Sequence, residues 1–228
     1  MPRRPRIVLP GTPLHLIQRG NNRQACFYSE SDYLIYLEWL EEYSKKYACQ
    51  IHAYVLMTNH VHLLVTPPKE DSAGLMMKHL GQRYVQYINR TYQRSGTLWE
   101  GRYKSCIAQD EVYVLGCYRY IELNPVRADI VPHPAEYRWS SYRINAQSEK
   151  SNLITPHQQY IDLAGDCEQR VKVYRELFRY QLEPGIIDEI RNATNGNYAL
   201  GSDLFKDEVT AMLGRRVIPG VGGRPRHK

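Results

Sequence analysis

The sequence predicts an α+β fold: a ferredoxin-like antiparallel sheet with helices on one face, followed by a small helical C-terminal extension. Two observations carry this prediction. Along the first half the apolar pattern gives the order strand, helix, strand, strand, helix, strand, helix, and the first six elements match the split βαβ arrangement. After a polar stretch at 145–152 only helical spacing recurs. In such a sheet the face away from the helices is left to carry a site.

The elements follow in order. Leu14 to Arg19 is a short apolar run closed by the turn residues Gly20-Asn21-Asn22. Ser31-Asp32 starts a helix with Tyr33, Leu34, Leu37, Leu40 and Tyr43 at helical spacing. Gln50–Met57 and His60–Thr66 read as two strands joined by the Thr58-Asn59 turn, an antiparallel hairpin closed by Pro67-Pro68. A long helix runs from Ser72 to about Tyr92, and Leu98 to Ile107 is extended. Glu111 to Leu123 is a helix stopped by Asn124-Pro125, because proline disfavours helical geometry in the residue before it. Trp139–Tyr142 closes this first unit, residues 1–145, and Asn145 to Asn152 is the linker candidate. In the extension, 146–228, helical patterns cover Glu168–Leu182, Pro184–Ala193 and Ser202–Leu213, the last with Ser202 as N-cap and Gly214 at its stop. The last two could form a helix-turn-helix or simply pack as helices.

Composition excludes several classes. A mean hydropathy of −0.56 without a long apolar run rules out a membrane span. No apolar core follows the basic start, so no signal peptide is visible. Five scattered cysteines without a C-x-x-C argue against disulfides and a zinc ribbon and fit the cytoplasm. The net charge of +6 is unevenly placed. Residues 1–30 hold five Arg and one acid, residues 214–228 five basic residues and no acid, and residues 72–109 six basic residues and one acid. Such clustering suits a polyanion such as nucleic acid, and equally a solubilising surface. The 19 tyrosines against three phenylalanines permit base stacking but do not require it.

His60 and His62 lie two apart on a strand, so both imidazoles point to one face. They could ligate one divalent ion or be a hydrogen-bonded pair. No cysteine is placed to close a zinc site; two histidines with oxygen ligands suit Mg²⁺ or Mn²⁺ when a phosphate adds oxygens. His52 on the preceding strand reads as structural. Tyr120 and Asn124, four apart at a helix end, share a face. Asn124 can offer a carbonyl oxygen to a metal. Tyr120 can attack a phosphodiester whose charge a metal neutralises. The spacing is also met by a packing tyrosine and a helix-ending asparagine.

Three runs, Met57-Thr58-Asn59-His60-Val61-His62-Leu63-Leu64, Leu98–Ser105 and Tyr120-Ile121-Glu122-Leu123-Asn124-Pro125-Val126-Arg127-Ala128, resemble the ordered motifs of the REP-associated tyrosine transposases, single-tyrosine HUH endonucleases. The resemblance covers about residues 8–145. It implies a catalytic unit acting on single-stranded DNA at hairpin-forming palindromic repeats, as a monomer or a homodimer. His60, His62 and Asn124 match the metal ligands, with Mg²⁺ or Mn²⁺ as cofactor, and Tyr120 matches the nucleophile. The implied product is a 5′-phosphotyrosine link and a free 3′-OH. A hydrolytic metal-dependent nuclease and a non-catalytic, regulatory hairpin-binding protein are the alternatives. Arg83, Arg90, Arg94, Arg102 and Lys104 become candidate phosphate contacts. Arg3, Arg4 and Arg6 in the first arm, and Arg224 and Arg226 in the tail, become candidate minor-groove contacts.

Overall fold

The computed structural model describes residues 5–220, and within them the side chains of all but 110–112. The strands are β1 (Leu14–Arg19), β2 (Gln50–Met57), β3 (His60–Thr66), β4 (Lys104–Ala108) and β5 (Ala199–Leu200). The helices are α1 (Glu30–Lys46), α2 (Ser72–Thr91), α3 (Asp110–Glu122), α4 (Asn124–Arg127), α5 (Tyr142–Gln147), α6 (Gln158–Ile161), α7 (Cys167–Glu176), α8 (Pro184–Gly196) and α9 (Asp203–Leu213).

The sheet order is β2-β3-β1-β4-β5. The first four strands pair antiparallel, in the expected split βαβ arrangement, and β5 joins β4 in parallel. The α+β class therefore holds, with a mixed five-stranded sheet. The placing of helices on one face needs correction. On one face α1 and α2 pack on a core with Leu14, Leu16, Leu56, Leu63 and Val65, which Val209 of α9 also joins. The opposite face is also apolar, with Val55, Leu64, Cys106 and Ala108, and α3, α5, α7 and α8 cover it.

Local chemistry explains the boundaries. α1 begins one residue before the predicted start, in a capping box between Ser29 and Asp32. The buried Asp32 carboxylate also accepts the hydroxyls of Tyr87 at 3.0 Å and Tyr92 at 2.9 Å. The predicted extended run from Leu98 shortens to β4, because Gly101 turns the chain at φ 123°. The stretch offered as a linker is docked at both ends. Asn145 is buried in α5, and Ile154 bridges to Ile51 of β2. β5 lies between α8 and α9, so these two helices are not a helix-turn-helix.

Glu122 ties these layers together. Its buried carboxylate accepts from Ser141 Oγ at 2.6 Å, Asn145 Nδ2 at 2.8 Å and Tyr174 Oη at 2.7 Å. Burial pushes this carboxyl up to about 7, against the three donors that favour its charge.

His52 sits at the register shift of β2 and is buried. Its Nδ1 donates to the Thr155 carbonyl at 2.7 Å, and Thr66 Oγ1 donates to its Nε2 at 2.8 Å. Burial pushes its pKa down to about 4. The unfolded imidazole titrates near 6.5, so His52 contributes stability in full above that pH and loses it as pH falls toward 4. Urea unfolding at pH 7 and pH 4.5 is expected to lose up to about 3 kcal/mol less in His52→Gln than in the unaltered protein. Equal losses would remove His52 as a source of acid lability.

Candidate active site

Strand alternation builds the first half of the site. On β3, Val61, Leu63 and Val65 face the α1/α2 core, so His60 and His62 point to the other face. Their rings lie edge-on with centroids 5.0 Å apart. On the neighbouring β1, His15, Ile17 and Arg19 share that face, since Leu14 and Leu16 take the core side. Ile17 is the register partner of His62, and Arg19 that of His60.

α3 crosses this face and supplies the second half. Val114, Cys117, Tyr118 and Ile121 are its buried side. Tyr120 packs with its ring centroid 5.7 Å from His62 and 5.5 Å from His15, both edge-on. α3 ends at Glu122, and Pro125 opens the short α4. Asn124, at this junction, lines the same cleft as the His60 side chain. His60, His62, Tyr120 and Asn124 thus converge on one cleft of about 330 Å³. Sequence reasoning brought these four together, and the fold places them within one wall-to-wall space.

Five further residues of the cleft were missed. Arg127 donates through Nη2 to the Tyr120 carbonyl at 2.5 Å and lies 4.3 Å from the Tyr120 ring centroid. Its burial lowers its pKa to about 10, so it stays cationic at neutral pH. His15 Nε2 meets His62 Nδ1 at 2.8 Å, and His15 Nδ1 meets Thr194 Oγ1 at 2.9 Å. Arg191 and Asn195 of α8 line the same wall as Thr194. The alternation around β1 could have flagged His15; nothing local in the sequence points to Thr194.

The electrostatics keep all three imidazoles neutral. Burial pushes His15 down to about 3 and His60 to about 4, with Arg19 adding to the latter. Burial, then the neighbouring histidines, hold His62 well below its ordinary value. Neutral imidazoles keep a lone pair for ligation. Among the described residues no group of three or more His, Cys, Asp or Glu side chains is arranged to hold a metal ion. The donor set here is two imidazoles and an amide oxygen. His60 Nδ1 is already engaged by Asn59 Oδ1 at 2.6 Å, and His62 Nδ1 by His15. Histidines whose second nitrogen is held in this way fit a divalent ion that takes oxygen and nitrogen ligands.

The family model for IS200-like transposases matches residues 10–124. The chain belongs to the IS200-like transposase family. The matched stretch runs from just before β1 to Asn124 and contains His60, His62 and Tyr120. No curated protein sequence matches the chain. Among solved structures, a REP-associated tyrosine transposase bound to a REP hairpin is similar at 14% identity and a TM-score of 0.57, over 69% of this chain and 93% of that one. That likeness is one of fold. A protein from Deinococcus radiodurans R1 assigned as a transposase is similar at 17% identity and a TM-score of 0.37, over 56% of this chain and 92% of that one.

In this IS200-like transposase the basic residues separate into two sets. Arg6, Arg102 and Lys104 line a groove of about 410 Å³ that shares Ile17, Arg19 and Asn195 with the cleft. Arg6 stacks 3.5 Å from the Tyr103 ring centroid and donates to the Tyr103 carbonyl at 3.0 Å. Arg83, Arg90 and Arg94 line neither space. Arg83 is paired with Glu42 at 2.6 Å and stacked on Trp39, Arg90 is exposed in the last turn of α2, and Arg94 lies over Tyr28. Arg3, Arg4, Arg224 and Arg226 lie outside the described residues. Among the described residues no helix is long and apolar enough to cross a membrane.

Proposed function

We propose that this transposase cuts and rejoins single-stranded DNA next to a hairpin, through a covalent link to Tyr120. One observation carries the reading: Tyr120 shares a cleft with His60, His62 and Asn124, and that cleft opens into a basic groove. The structural relative bound to a REP hairpin supports hairpin DNA as the partner.

His60, His62 and Asn124 would hold a divalent ion, Mg²⁺ or Mn²⁺. When bound, that ion supplies Lewis-acid polarisation of the scissile phosphate. The chain's own residues do the rest. Tyr120 Oη attacks phosphorus, and the bond from phosphorus to the 3′ oxygen breaks. The phenol proton is lost and the departing 3′ oxygen gains one, giving a 5′-phosphotyrosine and a 3′-OH. The phosphoester bond is conserved in the adduct, so a 3′-OH can attack it and rejoin strands without a nucleotide cofactor. Arg127 clamps the backbone and ring of Tyr120, limiting its search for an in-line position. Arg19, Arg102 and Lys104 would hold the backbone of the entering strand without reading its sequence.

The test is a hairpin oligonucleotide with a single-stranded flank, labelled at its 3′ end, mixed with the full chain and Mn²⁺ or Mg²⁺. The label is expected to migrate with the protein in a denaturing gel, and chelator should abolish the shift. Cleavage without the shift would indicate a hydrolytic nuclease instead. Tight, chelator-indifferent binding without cleavage would indicate a regulatory binding protein.

A further inference from the structure

The hydrogen bonds from Thr194 through His15 to His62 can run in only one direction. Thr194 Oγ1 lies 2.7 Å from the Ile190 carbonyl oxygen. A carbonyl has no proton to give, so the single hydroxyl proton of Thr194 goes there. The hydroxyl oxygen is then an acceptor for every other neighbour. It accepts from His15 Nδ1 at 2.9 Å, and the Cys106 thiol, 3.2 Å away, donates to its remaining lone pair. A neutral His15 with its proton on Nδ1 has a bare Nε2. His62 Nδ1, 2.8 Å from that nitrogen, therefore carries a proton, and the lone pair of His62 resides on Nε2. His15, His62 and Thr194 are 1%, 2% and 3% exposed, so solvent does not compete for these bonds.

We propose that Thr194 is a positioning residue for the metal site: acting through His15, it holds His62 in the Nδ1–H tautomer that leaves Nε2 free to ligate. The inference rests on His62 being a metal ligand, as read above. His60 obtains the same tautomer locally, because the Asn59 side-chain oxygen can only accept from its Nδ1. The two imidazoles are thus oriented by separate sources, one beside the strand and one on α8. Packing alone does not call for a hydroxyl at 194; valine has nearly the same shape.

The tautomers can be read directly in the metal-free, full-length protein by long-range ¹H–¹⁵N correlation of ¹⁵N-histidine. The unaltered chain and Thr194→Ser are expected to show His62 protonated at Nδ1. Thr194→Val removes the acceptor, lets the His15 proton move to Nε2, and should produce a second His62 form protonated at Nε2. Mn²⁺ affinity, followed by the loss of the free-ion paramagnetic resonance signal, is expected to fall about 10–100-fold in Thr194→Val and to stay near the original in Thr194→Ser. Should Thr194→Val not fold, His15→Leu removes the same acceptor for His62 and should weaken Mn²⁺ binding similarly. An unchanged His62 tautomer with unchanged Mn²⁺ affinity in these variants overturns the proposal and leaves the metal reading intact. Mn²⁺ binding that is indifferent to His60→Ala and His62→Ala overturns the metal reading itself, while the tautomer measurement still decides whether Thr194 governs His62.

Discussion

Tyr120→Phe is expected to abolish the covalent adduct and to lower cleavage on the order of 10⁴-fold or more, with the fold and DNA binding intact. The ring does the structural work at this position. It packs edge-on against His15 and His62 and lies under the Arg127 guanidinium, and all three contacts survive in phenylalanine. What is lost is the phenol oxygen, the proposed nucleophile. Single-turnover cleavage of a labelled hairpin, run beside a binding titration and a thermal melt, separates the outcomes. An adduct of undiminished yield in Tyr120→Phe moves the nucleophile to another residue. Lost binding together with lost cleavage would make Tyr120 a DNA-contact residue.

Glu122→Ala carries the largest expected cost to stability, about 3–5 kcal/mol by urea unfolding. Two residues beyond Tyr120, the Glu122 carboxylate accepts from α5, from α7 and from the residue preceding α5. Removing it takes the acceptor from the buried Tyr174 hydroxyl and leaves Ser141 Oγ and Asn145 Nδ2 with only their longer contacts, 3.3 Å each, to the Tyr54 and His52 carbonyls. That loss is a large share of the 5–15 kcal/mol typical of a folded domain. Glu122→Gln keeps an acceptor oxygen in nearly the same place and carries no charge to bury, so it should cost much less. If alanine and glutamine prove equally mild, the three donors find other partners and the hub assignment fails.

The four-stranded frame was legible because each of its features has a short-range cause. Strand periodicity placed His60 and His62 on one face, and Pro125 ended the helix just after Tyr120. β5 escaped because two residues have no measurable period, and its pairing with β4 joins positions far apart in the chain. The cover on the second sheet face escaped for a related reason. β2 is buried almost throughout, and a continuously buried strand says that both faces are covered without saying by what. Charge clustering along the chain picked out Arg102 and Lys104, which line the groove. It also swept in Arg83, whose glutamate and tryptophan partners lie on a different helix. His15 and Thr194, 179 residues apart, leave no common signature in one sequence.

That separation has a consequence for when the protein can act. Ribosomes release a chain from its N-terminus, so β1, the histidine strand and α3 all emerge before the α8 wall of the cleft exists. At roughly 5–20 residues per second, this interval is on the order of seconds. A nascent chain, or one truncated before α8, holds its tyrosine and both histidines but lacks Thr194, Arg191 and Asn195 beside them. The stretch of translation from the end of α3 to α8 is therefore a built-in delay between making Tyr120 and the histidines and enclosing them.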